Sequence, residues 1–169
     1  MIPVYLDPAH ARIALIGRGE LAVRRLAWLQ AGGAEPDVWG DGRLPRADEI
    51  SGYHAVWIAG LSAEEAAPLA HAARAAGVLV NVEDQTALCD FHTPAVVRRG
   101  KLTLTSGTGG ASPAVARAAR ERLEAAFPEA WGKALEEIAQ SRAALRERKA
   151  DFDTLINDAR VRLAQHGLS

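Results

Sequence analysis

The stretch Ala11–Trp39, ARIALIGRGELAVRRLAWLQAGGAEPDVW, decides the fold. Ala11 to Ile16 is a short apolar run broken only by Arg12, and it stops at Gly17-Arg18-Gly19. From Glu20 to Gln30, Leu21, Leu26 and Leu29 recur at helical spacing. Gly32-Gly33 closes that helix, because glycine accepts the left-handed backbone that ends helices. Asp37 to Trp39 then reads as a second strand, with Pro36 tolerable only at its start. Strand, glycine turn, helix and strand make a βαβ unit.

Working outward, Gly40 to Gly52 reads as loop, and Ala55 to Ala59 is a third apolar strand. Ser62 with Glu65 forms a capping box for a helix reaching Ala76 and stopping at Gly77. Pro68 conflicts with that start, because proline inside a helix removes a backbone hydrogen bond; a kink or a later helix start is expected. Val78 to Val82 is a fourth strand. Strands alternating with helices predict a parallel sheet.

From Phe91 onward the pattern changes. Lys101 to Ser106 reads as a strand, and Ser112-Pro113 opens a helix to about Ala126, with serine as N-cap and proline in the first helical position. Two further helices follow, Trp131 to Lys149 and Asp151 to Gln165, the second carrying Phe152, Leu155, Ile156, Ala159 and Leu163 on one face. The segment from Phe91 to Ala126 holds too little apolar material to bury itself, so a second copy of the chain is expected to complete it. The predicted class is α/β: an N-terminal Rossmann-like parallel sheet over 1–92, a small interlocking dimerisation segment over 93–127, and a helical C-terminal part over 128–169.

The 169 residues are 49% hydrophobic and 24% charged, enough for one substantial core. No apolar run approaches membrane-span length, and the N-terminus lacks a basic start and a long apolar core, so a cytoplasmic protein is expected. The single cysteine, Cys89, forms no internal disulfide and excludes a thiolate-rich zinc cage. A formal net charge of −1 argues against nucleic-acid or membrane partners.

Gly17 and Gly19, with Glu20 and Leu21 opening the helix, are the start of a dinucleotide fingerprint; Ala22 occupies the third position, where alanine is accepted. The other reading of this turn is an ordinary tight turn. Asp41, about 20 residues on, stands where a ribose hydroxyl would be bound, or is a turn residue. No Arg or Lys directly follows Trp39, which favours NAD over NADP, although Arg43 and Arg46 lie near. Past the fourth strand, Asp84 is either a base or a turn aspartate, and alternation turns Glu83 to the opposite face. Cys89, Asp90 and His92 are too close together to wrap one ion without further donors, so a buried cysteine with a hydrogen-bonded histidine is expected and no resident metal, a transient Fe2+ contact through His92 being the other reading.

Together these motifs resemble the NAD-dependent precorrin-2 dehydrogenases, often bifunctional with sirohydrochlorin ferrochelatase, of the siroheme synthase N-terminal family. The matching pieces are PVYLD, IGRGELAVRRL, GVLVNVEDQTALCDF, HTPAVVRRGKLTLTSGTGGASPAVAR and FPEAWGKALEEIAQSRAAL, which cover nearly the whole chain. The resemblance implies a cytoplasmic homodimer that uses NAD to oxidise precorrin-2 to sirohydrochlorin, with Fe2+ as a further substrate in bifunctional members. It makes Asp84 the catalytic carboxylate and places Thr108 where the family carries a modified serine. Because the substrate bears many carboxylates, Arg98, Arg99, Lys101, Thr108, Gly109, Gly110, Ser112 and Arg117 are expected to form its rim. The family's acidic pair after the third strand is replaced by Gly60-Leu61-Ser62, with Gly60 kept in the cofactor-binding set, and the connection between the second and third strands loses one strand. Three readings stay open: the NAD-dependent dehydrogenase, a redox-inactive chelatase or tetrapyrrole-binding protein, and a non-catalytic dinucleotide sensor.

Overall fold

The computed structural model describes residues 1–168 and divides the chain into two compact units, Met1–Thr93 and Pro94–Ser169.

In the first unit, β1 (Ile13–Gly17), β2 (Asp37–Trp39), β3 (Ala55–Ala59) and β4 (Leu79–Val82) form one parallel sheet in the order β2-β1-β3-β4. α1 (Gly19–Gln30), the single turn α2 (Ala47–Ile50) and α3 (Ala63–Ala75) connect them. β1 pairs with both β2 and β3, so the chain leaves β1 on one side and returns on the other. That reversal is a topological switch point, which opens a crevice beyond the carboxyl ends of β1 and β3.

Both faces of the sheet are covered, so its strands are continuously apolar. Ala14, Ile16, Val56, Ile58, Val80 and Val82 pack with Ala66, Leu69, Ala70 and Ala73 of α3. The alternate residues Ile13, Leu15, Ala55, Trp57 and Ala59 pack with Leu29 of α1. Full burial of Leu15, Ile16 and Ile58 contributes roughly 1.5–3 kcal/mol each. Phe91 meets Trp57 edge-on at 4.9 Å, tying the end of the unit back to the sheet.

Pro68 does not delay the helix. α3 starts at Ala63, with Ser62 accepting from the Glu65 N–H and Glu65 accepting from the Ser62 N–H. Pro68 and Glu64, whose carbonyl loses its partner, are both exposed, so the missing bond leaves no polar group buried.

The second unit holds an antiparallel hairpin of β5 (Ala95–Arg99) and β6 (Leu102–Ser106), then α4 (Pro113–Ala126), α5 (Ala130–Glu147) and α6 (Phe152–Gln165). β5 is not anticipated above. Its signal is AVVRR-GK-LTLTS, two β-rich runs around a two-residue turn, with Gly100 at φ +57 in the first turn position. The stripe on α6 holds at Leu155, which is buried, but Phe152 is 69% exposed. Buried hydrophobics in this unit are Val97, Ala134 and Leu155, and α4 has none. No described helix is long and apolar enough to cross a membrane.

Candidate functional site

Three glycines bring the carboxyl ends of β2, β1 and β3 into backbone contact. A Cβ on Gly40 would lie 1.8 Å from the Gly17 carbonyl oxygen, one on Gly17 would lie 1.8 Å from the Ala59 oxygen, and one on Gly60 would lie 2.1 Å from the Arg18 oxygen. No side chain fits in any of these gaps, so the crevice floor is bare main chain. Gly40 is absent from the sequence-based site. The signal for it is only that a glycine follows β2, as Gly17 and Gly60 terminate or follow β1 and β3.

Gly19 differs. It opens α1 with φ +70 and has nothing within 4 Å of where a Cβ would stand, so its missing side chain clears space rather than relieving a clash. The N-cap of α1, Arg18, makes no side-chain capping bond, whereas Ser62 caps α3. The first N–H groups of α1 are therefore left for an anion in the space that Gly19 clears, and this fits a dinucleotide diphosphate. Glu20 is exposed and lies 4.0 Å from Arg24, and half-buried Leu21 packs on the α1-side core beside Gly60. Ala22 is buried at the close-packing position.

Asp41 follows β2 by two residues and is exposed, at the position expected for a ribose contact. Arg43 donates twice to Glu49 at 2.6 Å and lies over the Trp39 ring, while Arg46 pairs with Asp48. The Arg43 guanidinium and the Arg46 N–H hold the Glu49 carboxyl down to about 2. Both arginines near enough in sequence to read a 2′-phosphate are thus engaged by neighbouring carboxylates.

Asp84 has φ +61, one of two described non-glycine residues in the left-handed region. It stands two residues past β4, exposed, and among the described residues no hydrogen bond or ion pair ties its carboxylate down. Its neighbours are engaged. Glu83 pairs with Arg25 of α1 at 3.2 Å, and Asp90 accepts from Arg74 and from the Val80 N–H. Cys89 Sγ sits 3.2 Å from both the N–H and the carbonyl oxygen of Val82, which makes it a packing group bonded to main chain. His92 is exposed.

The expected substrate residues all lie in the second unit. Arg98 is half-buried on β5 and Lys101 is exposed at the hairpin tip. Arg99 has a structural role instead: it donates to the carbonyls of Phe127, Arg98 and Glu124 and pairs with Glu129, closing the end of α4 with a side chain only 14% exposed. Thr108 Oγ1 donates to the Ser112 carbonyl and accepts the Ser112 N–H, across Gly109 and Gly110 at φ +67 and +81. Ser112 Oγ caps α4 by accepting from Val115. Arg117 pairs with Glu121 in solvent.

A cavity of about 520 Å³ lies at the amino ends of β1 and β2, lined by Asp7, Arg12, Glu35 and Asp37 among others. It is at the opposite strand ends from the crevice, so a cavity does not mark the crevice. Backbone geometry and the freed helix terminus do.

Residues 4–95 match the family model described as "Putative NAD(P)-binding". The siroheme synthases of Nitrosococcus oceani and Methylococcus capsulatus are 32% and 33% identical, each over 87% of this chain. The chain spans only about a third of their length, 35% and 34%. A solved structure, "SirC, precorrin-2 dehydrogenase", superposes with a TM-score of 0.69 over 100% of both chains at 16% identity, and so shares the fold.

Proposed function

Because the chain belongs to the NAD(P)-binding family of siroheme synthase N-terminal domains, we propose that it oxidises precorrin-2 to sirohydrochlorin. The observation that carries this reading is Asp84, a carboxylate without a partner among the described residues, in a left-handed turn at the carboxyl edge of the sheet that builds the cofactor crevice. The cofactor is NAD, which when bound supplies a hydride acceptor. Oxidation of the macrocycle removes a hydride and a proton, and Asp84 takes the proton and passes it to solvent. A carboxylate engaged like that of Glu83 is a poorer base, since the ion pair with Arg25 occupies its lone pairs.

The second unit suits a substrate with many carboxylates. Residues 94–169 carry thirteen Lys and Arg against nine Asp and Glu, while residues 1–93 carry seven against twelve. Arg98, Lys101 and Arg117 remain in the proposed rim, with Thr108, Gly109, Gly110 and Ser112 shaping its turn; Arg99 does not. Fe2+ insertion into sirohydrochlorin is proposed as a second activity, in which Asp84 accepts pyrrole N–H protons. The few buried hydrophobics of this unit, with β6 leaving one edge open, support a homodimer in which a second copy covers it.

The test is an absorbance assay of precorrin-2 with and without NAD+ and Fe2+. NADH formation that requires NAD+, followed by metallation only when Fe2+ is added, is expected. Metallation of added sirohydrochlorin with no NADH formed from precorrin-2 would refute the dehydrogenase and leave the chelatase.

A further inference from the structure

Arg18 is the residue between the two glycines of the turn, and its backbone is pinned: its N–H donates to the Ala59 carbonyl at 3.2 Å, and its own carbonyl fills the space that a Gly60 Cβ would need. Its side chain is not pinned to its own helix. The guanidinium reaches Glu65 in the first turn of α3 at 3.1 Å, with side chains 45% and 38% exposed. α1 follows β1 and α3 follows β3, so this ion pair joins the two helix starts on either side of the switch point.

The two helix starts are unequal. Ser62 fills the N-terminus of α3, whereas α1 has no side-chain cap. An anion at the crevice therefore settles on α1, next to a guanidinium whose present partner is one exposed carboxylate. A diphosphate offers that guanidinium two charged oxygens in fork geometry, a better match than the single contact to Glu65.

We propose that Arg18 binds the diphosphate of the dinucleotide and that Glu65 competes for it as a latch across the crevice. This rests on the cofactor reading above. Glu65 has a second bond, accepting from the Ser62 N–H, so it stays in place when Arg18 leaves. Glu65→Gln can keep that bond through its amide oxygen while losing the charge.

Calorimetry with NAD+, ADP and adenosine tests the idea, with each variant's Tm confirming folding. Arg18→Ala is expected to weaken NAD+ and ADP by roughly 10-fold or more, as for a lost hydrogen bond to a charged group, and to leave adenosine unchanged. Glu65→Gln is expected to tighten NAD+ and ADP by about 2- to 5-fold, the scale of an exposed ion pair. The double variant should follow Arg18→Ala. If Arg18→Ala shifts adenosine as much as ADP, or if Glu65→Gln weakens binding, the pair merely shapes the crevice and the proposal fails. A wild-type chain that binds none of the three probes overturns the cofactor reading, and this one with it.

Discussion

Replacing Gly19 and Gly17 separately by alanine distinguishes a glycine kept for a ligand from one kept for the fold. At Gly19 the added methyl meets nothing within 4 Å, so the only folding penalty is an alanine at φ +70. That costs about 1–2 kcal/mol, of which roughly 0.4–1 kcal/mol returns through a stiffer unfolded chain. The net loss is about 1 kcal/mol, or roughly 4–8 °C in Tm for a unit of this size. The methyl projects into the space proposed for the diphosphate. One misplaced methyl costs about 1–3 kcal/mol, a weakening of NAD+ of roughly 5- to 150-fold. At Gly17 the Cβ would lie 1.8 Å from the Ala59 oxygen and 2.9 Å from its carbon, so β1 and β3 must part by more than an ångström. The Arg18 N–H bond to Ala59 and the ladder end Gly17↔Ala59 are lost together. Buried groups left unpaired cost about 1–3 kcal/mol each, so Gly17→Ala should lose well over 10 °C or fail to fold. Differential scanning calorimetry and NAD+ titration read both variants. If Gly19→Ala binds NAD+ within twofold of wild type, the diphosphate does not lie at the start of α1 and the reasoning is wrong.

Three further outcomes follow from the site and its surroundings. Asp84→Asn should lower turnover by roughly 100-fold or more with NAD+ affinity unchanged; Asp84→Gly should do the same while raising stability by about 1 kcal/mol, because glycine accepts φ +61 without strain. Turnover within threefold of wild type in either variant removes Asp84 as the base. Arg99→Ala should destabilise the second unit by about 2–3 kcal/mol, since the carbonyls of Phe127 and Glu124 lose their donor, while a fall in substrate affinity with unchanged Tm would return Arg99 to the rim. Glu49 is depressed to about 2 in the fold, below the ordinary 4.5, so its contribution is complete above pH 4.5 and fades as pH falls toward 2. Glu49→Gln should flatten stability against pH within that window, and an unchanged slope in acid titrations would deny the Arg43 pairing its role.

The alternating first half was readable because both signals there are local. Apolar runs gave β3 at its observed bounds, and the capping box located the start of α3 despite Pro68. β5 was hidden because two of its five residues are arginines, Arg98 and Arg99, whose charge suggested a ligand rim. Charge in a sequence says nothing of which carbonyls lie within reach, and Arg99 finds its partners about 25 to 28 residues further on. Gly40 was missed for a related reason: a glycine required by the approach of another strand looks the same as one in a loop. Glu83 and Asp84 were separable by strand alternation, but only the structure supplies Arg25, from α1, as the partner of Glu83.

The backbone at Asp84 links these observations. Glycine is the residue that a left-handed turn after a strand prefers, and this chain uses it after β2 and β3, at Gly40 and Gly60. Two residues past β4 it carries an aspartate at φ +61 and accepts a strain of about 1–2 kcal/mol. Packing does not explain the choice, since the side chain is exposed. Hydrogen bonding does not explain it either: Glu83 and Asp90 satisfy Arg25, Arg74 and the Val80 N–H on either side. What the aspartate adds is a carboxylate at the carboxyl edge of the sheet, with no ion pair competing for its lone pairs. A strained residue whose side chain does nothing for the fold is best accounted for by the proposed reaction, and Asp84→Gly, expected to be more stable and inactive, is the variant in which the two requirements would come apart.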